Sequence, residues 1–480
     1  MGGSGVAMAL YRRRKNGHVP SSSVTSGDAA GTPPASQSEV TPLKDGAKDT
    51  REGDAPWSPG SEASPSKLKQ PGPSTIEAKG RETFRVTRFV ILRLVGLVYF
   101  VAFLGAYNQN KGLLGKDGLI PAHEHWTSLL SNCKASKLEC FKAHPSLYWF
   151  LDVTMLGDET MDYTAITGMT LSMLVVLGLD SFLVMIALWL LDFSIVTSAE
   201  HTSFYSYGWE SQLLETGWLA VWLCDVPILQ SRTSEPSLPV LWLFRWLCAR
   251  ISVGAGLIKL RGAQCWQERT CLYYHFETQP IPSPSSFFFH FLPKSVLRGA
   301  VHLDFFVQLY TIWLVLLPGW TWHLAQLRRL GGFVQAGFMI NIILSGNFAF
   351  LNHLTIVPAL ACLDDTCFPS FLRHSVNRRY YRDQKPQSSA RKVPRYLLDL
   401  GLLALISTLS MPVVQNLLQI GGRQVMNTSF GSFKLVNSYG AFGSVGQARY
   451  EPIIAVSEDG VEWTELELPC KPGNVRRRPW

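Results

Sequence analysis

Five charged side chains stand where an apolar environment should exclude them. Glu210, Glu215, Arg245, Arg250 and Lys259 all lie in or beside apolar runs between positions 201 and 284. An ion inside a bilayer costs about 2.5–3.5 kcal/mol on insertion scales unless it is paired or reaches water. Opposite charges on packed segments offset each other's desolvation, and removing one strands the other at roughly 3–5 kcal/mol. Glu210 and Glu215 are therefore candidate intramembrane partners of Arg245 and Arg250. The alternative places all four at the water interface on separate helices. Lys259 offers different chemistry, because a buried lysine can give up its proton and act as a general base. It closes an apolar run, however, where long cationic side chains commonly snorkel to the headgroups. No nucleophile–base–acid set, phosphate-cradling loop or metal cluster accompanies it, so no catalytic, cofactor or metal residues are assigned.

The cysteines point to an oxidising compartment. Nine occur in the chain, and two pairs enclose short polar segments, Cys133 with Cys140 and Cys265 with Cys271. Short-loop pairs of this kind read as disulfides, with free buried thiols as the alternative. Cys362 and Cys367 lie closer to an apolar run. His123-Glu124-His125 has the wrong spacing for a metal face on a helix and reads as a surface loop.

The elements that must position these residues are membrane spans. Positions 1–85 are rich in Ser, Pro, Gly and charge and read as a disordered basic tail. From 86 to 419 the chain is dense in Leu, Phe and Trp, and its cations collect beside the apolar runs rather than along a recognition stripe. That distribution follows the positive-inside bias and argues against nucleic acid as a partner. Expected spans are 89–107, 164–196 as one tilted or two short crossings, 239–258, 300–320, 333–363 and 397–418. The run 215–229 is short and reads as re-entrant or interfacial. Arg81, Arg85 and Arg88 keep the tail cytosolic, and Arg93 snorkels toward the same side. Loops near 111–163 and 259–299 then fall in the lumen, and the basic loop 373–395 in the cytosol. This requires an odd number of crossings after 298, so one of the later apolar runs must split or fail to span.

Region 420–480 is expected to be lumenal and β-rich. Asn427-Thr428-Ser429 is an N-glycosylation acceptor, with Asn427 the modified residue. The alternating run 453–468, broken at Glu458-Asp459-Gly460, reads as a β-hairpin. The fold class is thus mainly α, a polytopic helical membrane protein with a small β-rich lumenal end.

Several long segments resemble the lipase maturation factor family in the same order. They are GWESQLLETG at 208–217, GAGLIKLRG at 254–262, FETQPIPSP at 276–284, SGNFAFLNHLTIVPALACLDD at 345–365 and RQVMNTSFGSFKLVNSYGAFGS at 423–444. The resemblance implies a multi-pass endoplasmic-reticulum protein with a cytosolic N-terminus and a lumenal C-terminus. It implies a non-enzymatic role in the folding and assembly of secreted homodimeric lipases such as lipoprotein lipase and hepatic lipase, with membrane lipid as the other partner. Family members continue past the CKPG found here at 470–473, so a C-terminally shortened form is expected. GAGLIKL with Cys265-Trp266 is also faintly similar to vitamin K-dependent carboxylases, which makes a membrane enzyme using Lys259 the first alternative. A transporter is the second, suggested by the charges within spans, although no inverted repeat is found. The aromatic run 287–291 and the strands of 421–468 are the candidate client surfaces.

Overall fold

The computed structural model describes residues 7–14, 82–133, 136–150, 158–199, 202–224, 235–382, 392–469 and 476, which all belong to one compact unit. Tail positions 15–81, positions 225–229 of the short apolar run, 383–391 of the basic loop and the 470–473 segment lie outside these residues.

A strand, β1 (Ala7–Arg14), precedes the helices. The helices then run α1 (Arg85–Leu114), α2 (Ala122–Asn132), α3 (Lys137–Ala143), α4 (Asp158–Leu177), α5 (Phe182–Ser198), α6 (Gly208–Leu223) and α7 (Leu238–Leu260). Three brief ones follow, α8 (Gln264–Gln267), α9 (Leu272–Thr278) and α10 (Ser286–His290). Next, α11 (Lys294–Phe305) continues through a π turn and 3-10 turns to Leu316, ahead of α12 (Trp322–Ser345), α13 (Leu351–Leu360), α14 (Ser370–Arg382) and α15 (Lys392–Leu417). The chain closes with β2 (Thr428–Ser429), β3 (Asn437–Ser438), β4 (Tyr450–Ser457) and β5 (Thr464–Glu465).

Among the described residues, five helices are long and apolar enough to cross a membrane: α1, α4, α7, α11 with its extension, and α15 from Arg395. The chain is a polytopic helical membrane protein. Contacts define two ends of the bundle. At the near end, where α1 begins, Asp365 accepts hydrogen bonds from the backbone N–H groups of Arg85 (3.1 Å) and Val86 (2.8 Å). Two donors that open every helix without a partner are thereby satisfied. Arg328 grips Glu82 through both guanidinium nitrogens at the same end. At the far end the Tyr205 hydroxyl donates to Asn110 at 2.6 Å, and Arg261 donates to the Leu417 carbonyl at 2.8 Å.

These five helices alternate between the two ends, and two further antiparallel pairs, α5–α6 and α12–α13, are inserted among them. The 164–196 run divides after Leu177, where Gly178 takes a φ of +119° that side-chain-bearing residues rarely adopt, and yields α4 and α5. α6 begins at Gly208, ahead of the expected 215, and almost all its residues are buried, so it is a core helix and not an interfacial one. The 333–363 run breaks at 346–350 into α12 and α13. α13 has ten residues, about 15 Å at 1.5 Å each, well short of a bilayer core. Each pair leaves one end and returns to it, so the side reached by every long helix is the same whether or not the pairs traverse. The core lies where α1, α6, α7 and α13 meet, around Ile91, Tyr99, Leu213, Phe244 and Leu354.

β4 and β5 form the expected hairpin, Ala455 opposite Glu465 and Val456 opposite Thr464. Asp459 organises its turn by accepting from the N–H groups of Val461 (2.8 Å) and Glu462 (2.9 Å). The other edge of β4 pairs with β1, Ala7 opposite Ser457 and Arg14 opposite Tyr450. This departs from the tail reading in two ways. The apolar run 6–11 supplies a strand to an edge that would otherwise stay open, and the composition of the whole tail had hidden it. It also sets residues 7–14 at the far end, opposite the side on which Arg81, Arg85 and Arg88 were expected to hold the tail. His123-Glu124-His125 lies on α2, not in a loop.

Candidate functional site

Segments scattered through the sequence converge at the far end. The loop after α15 lies directly on α6 and α7, and glycines make that approach possible. A Cβ at Gly254 would collide with the Tyr439 carbonyl, and one at Gly262 with the Gly443 carbonyl. Hydrogen bonds then seal the contact: Ala263 N–H to the Gly443 carbonyl at 2.8 Å, and the Trp266 indole to the Phe442 carbonyl at 2.7 Å.

Beneath this layer sits a buried polar network. Glu215 and Arg250 form an ion pair in which both side chains are 1% exposed. The Glu215 carboxylate also accepts from the Tyr439 hydroxyl (2.7 Å), the Asn437 backbone N–H (3.0 Å) and the Asn437 side-chain amide (3.2 Å). Arg250 donates to the Asn437 carbonyl at 2.9 Å. An ion pair in the bundle therefore holds β3 by both its polar faces. The other two candidates do not join it. Arg245 donates to the Ala361 carbonyl at 2.8 Å and lies over the Phe84 ring. Glu210 is buried in the first turn of α6, and among the described residues no arginine is paired with it.

Lys259 does not snorkel. It is buried, with its ammonium donating to both oxygens of Asp304 (2.6 and 2.8 Å) and to Gln308 (3.2 Å). Its acceptors all lie on α11 and its extension, at two positions one turn apart. Arg93 does not snorkel either: it pairs with Asp180, the residue that interrupts the second apolar run. These partners, 87 positions apart, had no local signal in the sequence.

Both cysteine pairs are bonded, Cys133 to Cys140 and Cys265 to Cys271, and both loops stand at the far end. Cys362 is a free buried thiol and Cys367 a free, half-buried one. Asn427 is half-buried; its amide oxygen accepts from the Gly440 N–H (3.4 Å) and faces Gly208.

Next to this layer is a cleft of about 850 Å³ between the 276–290 and 343–353 segments. One wall is pinned by hydroxyls. Ser285 and Ser286 donate to the Leu344 and Ser345 carbonyls, the latter at 2.8 Å, and so satisfy acceptors left open at the end of α12. Behind the cleft, His275 is packed against Phe276, Phe348 and Phe442, with ring centroids 5.1–6.3 Å away. Burial, and next the Lys259 charge, push its imidazole down to about 4. Phe287, Phe288 and Phe291 stand exposed at the rim.

The lipase maturation factor transmembrane domain matches residues 86–370. The chain belongs to the lipase maturation factor family. It is 38% identical to lipase maturation factor 1 of Bos taurus over 417 residues, 83% of this chain and 72% of that one. Against lipase maturation factor 1 of Mus musculus the identity is 38% over 449 residues, 89% and 76% of the two chains. Lipase maturation factor 2 of Xenopus tropicalis is 34% identical over 337 residues, 68% of this chain and 44% of that one. No solved structure matches. In this member of the lipase maturation factor family the matched domain includes the first four long helices and both inserted pairs, and the loop holding Asn437 and Tyr439 docks on it from outside.

Proposed function

We propose that this protein is an endoplasmic-reticulum membrane factor that assists folding and assembly of secreted homodimeric lipases, lipoprotein lipase and hepatic lipase among them, without catalysing a reaction. Its relatives are named for lipase maturation. The observation that carries the reading is the meeting, at one end of the bundle, of segments 254–262, 276–284 and 423–444, the starts of 208–217 and 345–365, both disulfides and Asn427. Disulfides persist in an oxidising lumen, which supports a lumenal far end and a cytosolic start of α1. A glycan on Asn427 belongs to the same proposal, added before the loop docks on Gly208.

The client surface on this reading is the β4–β5 hairpin. Val461, Trp463, Leu466 and Leu468 are exposed along it, and the outer edge of β5 is open among the described residues. An open edge beside apolar side chains can hold an extended, unfinished chain by backbone pairing. The experiment is expression in cells lacking the native factor, with secreted lipase activity as readout. The chain should restore activity, and Trp463→Ser with Leu466→Ser should lose most of it at unchanged expression. Lys259→Met paired with Asp304→Leu, which removes the ion pair without stranding a charge, should keep it. Failure of the chain to restore secretion, or a well-expressed but inactive Lys259/Asp304 double variant, would overturn the proposal.

A further inference from the structure

The geometry points to a lipid site in the 850 Å³ cleft, occupied by an acyl chain of a bilayer phospholipid, with α10 as a wedge in the membrane interface. The volume is that of a small-molecule site, and much of the lining is apolar, including Phe276, Ile281, Pro282, Phe287, Ile343 and Phe348. Its position selects the occupant. α11 and its extension form one of the five long apolar segments, and they start three residues after Phe291. Val296, Leu303, Phe306, Tyr310 and Trp313 are all exposed along this segment and recur at helical spacing, so they mark its outward, lipid-facing side. Phe287, Phe288 and Phe291 carry that exposed surface on to the cleft rim, at 63%, 72% and 67% exposure.

Cations stand at the same level. Lys294 and Arg298, both exposed in the first turns of α11, lie 5.5 and 5.9 Å from the Tyr273 ring. Aromatic residues beside lysine and arginine at the end of a span are the pattern of a membrane–water boundary, with the cations at phosphate depth. The mouth of the cleft, where His290 faces Glu277 at 3.8 Å, therefore opens where phospholipid is the most concentrated amphiphile. Lipid in this cleft would be independent of any lipase client on the hairpin.

The test uses the full chain in phosphatidylcholine proteoliposomes, with photoreactive benzoylphenylalanine placed at Phe348 in the cleft wall or at Phe288 on the rim. Mass spectrometry of the irradiated protein should find phosphatidylcholine adducts at both positions. Ile281→Trp, which fills the cleft, should abolish the adduct at 348 and leave the one at 288; Ile343→Trp serves as a second block from the opposite wall. A lipid adduct at 288 alone, none at either position, or an adduct at 348 that survives both blocks would overturn the inference. So would irradiation in native microsomes that captures a polypeptide at 348 in place of lipid.

Discussion

Neutralising Glu215 tests whether the buried ion pair anchors the C-terminal loop. Glu215→Gln keeps the side-chain shape and one acceptor oxygen but removes the negative charge that Arg250, 1% exposed, is paired with. Stranding a buried charge in this way costs roughly 3–5 kcal/mol. Set against a typical total stability of about 5–15 kcal/mol, that is a severe loss. At about 2–4 °C per kcal/mol for a chain of this class, the midpoint should fall on the order of 10 °C. Arg250→Met should cost less, because the carboxylate left behind still accepts from the Asn437 N–H groups and the Tyr439 hydroxyl. The double variant should lose less than the sum, with a coupling of about 1–3 kcal/mol. Thermal unfolding of detergent-purified protein, read by size-exclusion recovery, gives the midpoints. Limited proteolysis should cut 421–445 in Glu215→Gln before it cuts the bundle. Single and double variants that add within about 0.5 kcal/mol would refute the coupling. Exchanging Glu215 with Arg245 should rescue nothing, since Arg245 is committed to the Ala361 carbonyl.

Stability should also depend on pH through His275. Its imidazole stays neutral in the folded protein down to about 4, whereas the unfolded chain takes up the proton near the ordinary 6.5. Stability is therefore lost as pH falls from 6.5 towards 4, by up to about 3 kcal/mol, and this contribution is flat outside that window. His275→Gln should remove it, and parallel wild-type and variant unfolding curves across the window would refute it. Asp365→Ala should cost about 1–2 kcal/mol by freeing the first N–H groups of α1. Hydrogen exchange at Arg85 and Val86 should rise, and unchanged protection there would exclude the cap. The β1–β4 pairing predicts that Met8→Cys with Val456→Cys, opposite in register, forms an intrachain disulfide. Removal of residues 7–14 by protease added outside sealed microsomes would show that the strand does not form.

How much of this arrangement was legible in the chain depends on whether the deciding contact was local. The long helices follow from runs of apolar residues, the hairpin from alternation around Asp459-Gly460, and the bonded cysteines from short spacing. The break at 346–350 had no such local mark. The charge pairing was harder. Arg245 and Arg250 are five positions apart, about 140° around a helix, so they face different neighbours, and the same holds for Glu210 and Glu215. That spacing was available in the sequence and excluded four residues from a single cluster; which glutamate met which arginine depended on how α6 packs on α7. Asp180 for Arg93 and Asp304 for Lys259 were beyond local reading, because the first lies in the turn between α4 and α5 and the second on α11. Snorkelling was the expectation for both cations, and in each case a carboxylate across the bundle takes the charge first. The cleft was equally hidden, since its walls are some 60 residues apart and meet through Ser285 and Ser286.

The paired insertions α5–α6 and α12–α13 have a practical consequence for topology mapping. Reporters fused after α1, α7 or α15 return the same compartment for a five-crossing diagram and for one in which the inserted pairs also go through. Position 347, at the tip between α12 and α13, distinguishes the two diagrams. A tag there is accessible from the far compartment only when that pair pierces the bilayer, so one epitope decides a question that any number of terminal fusions leaves unanswered.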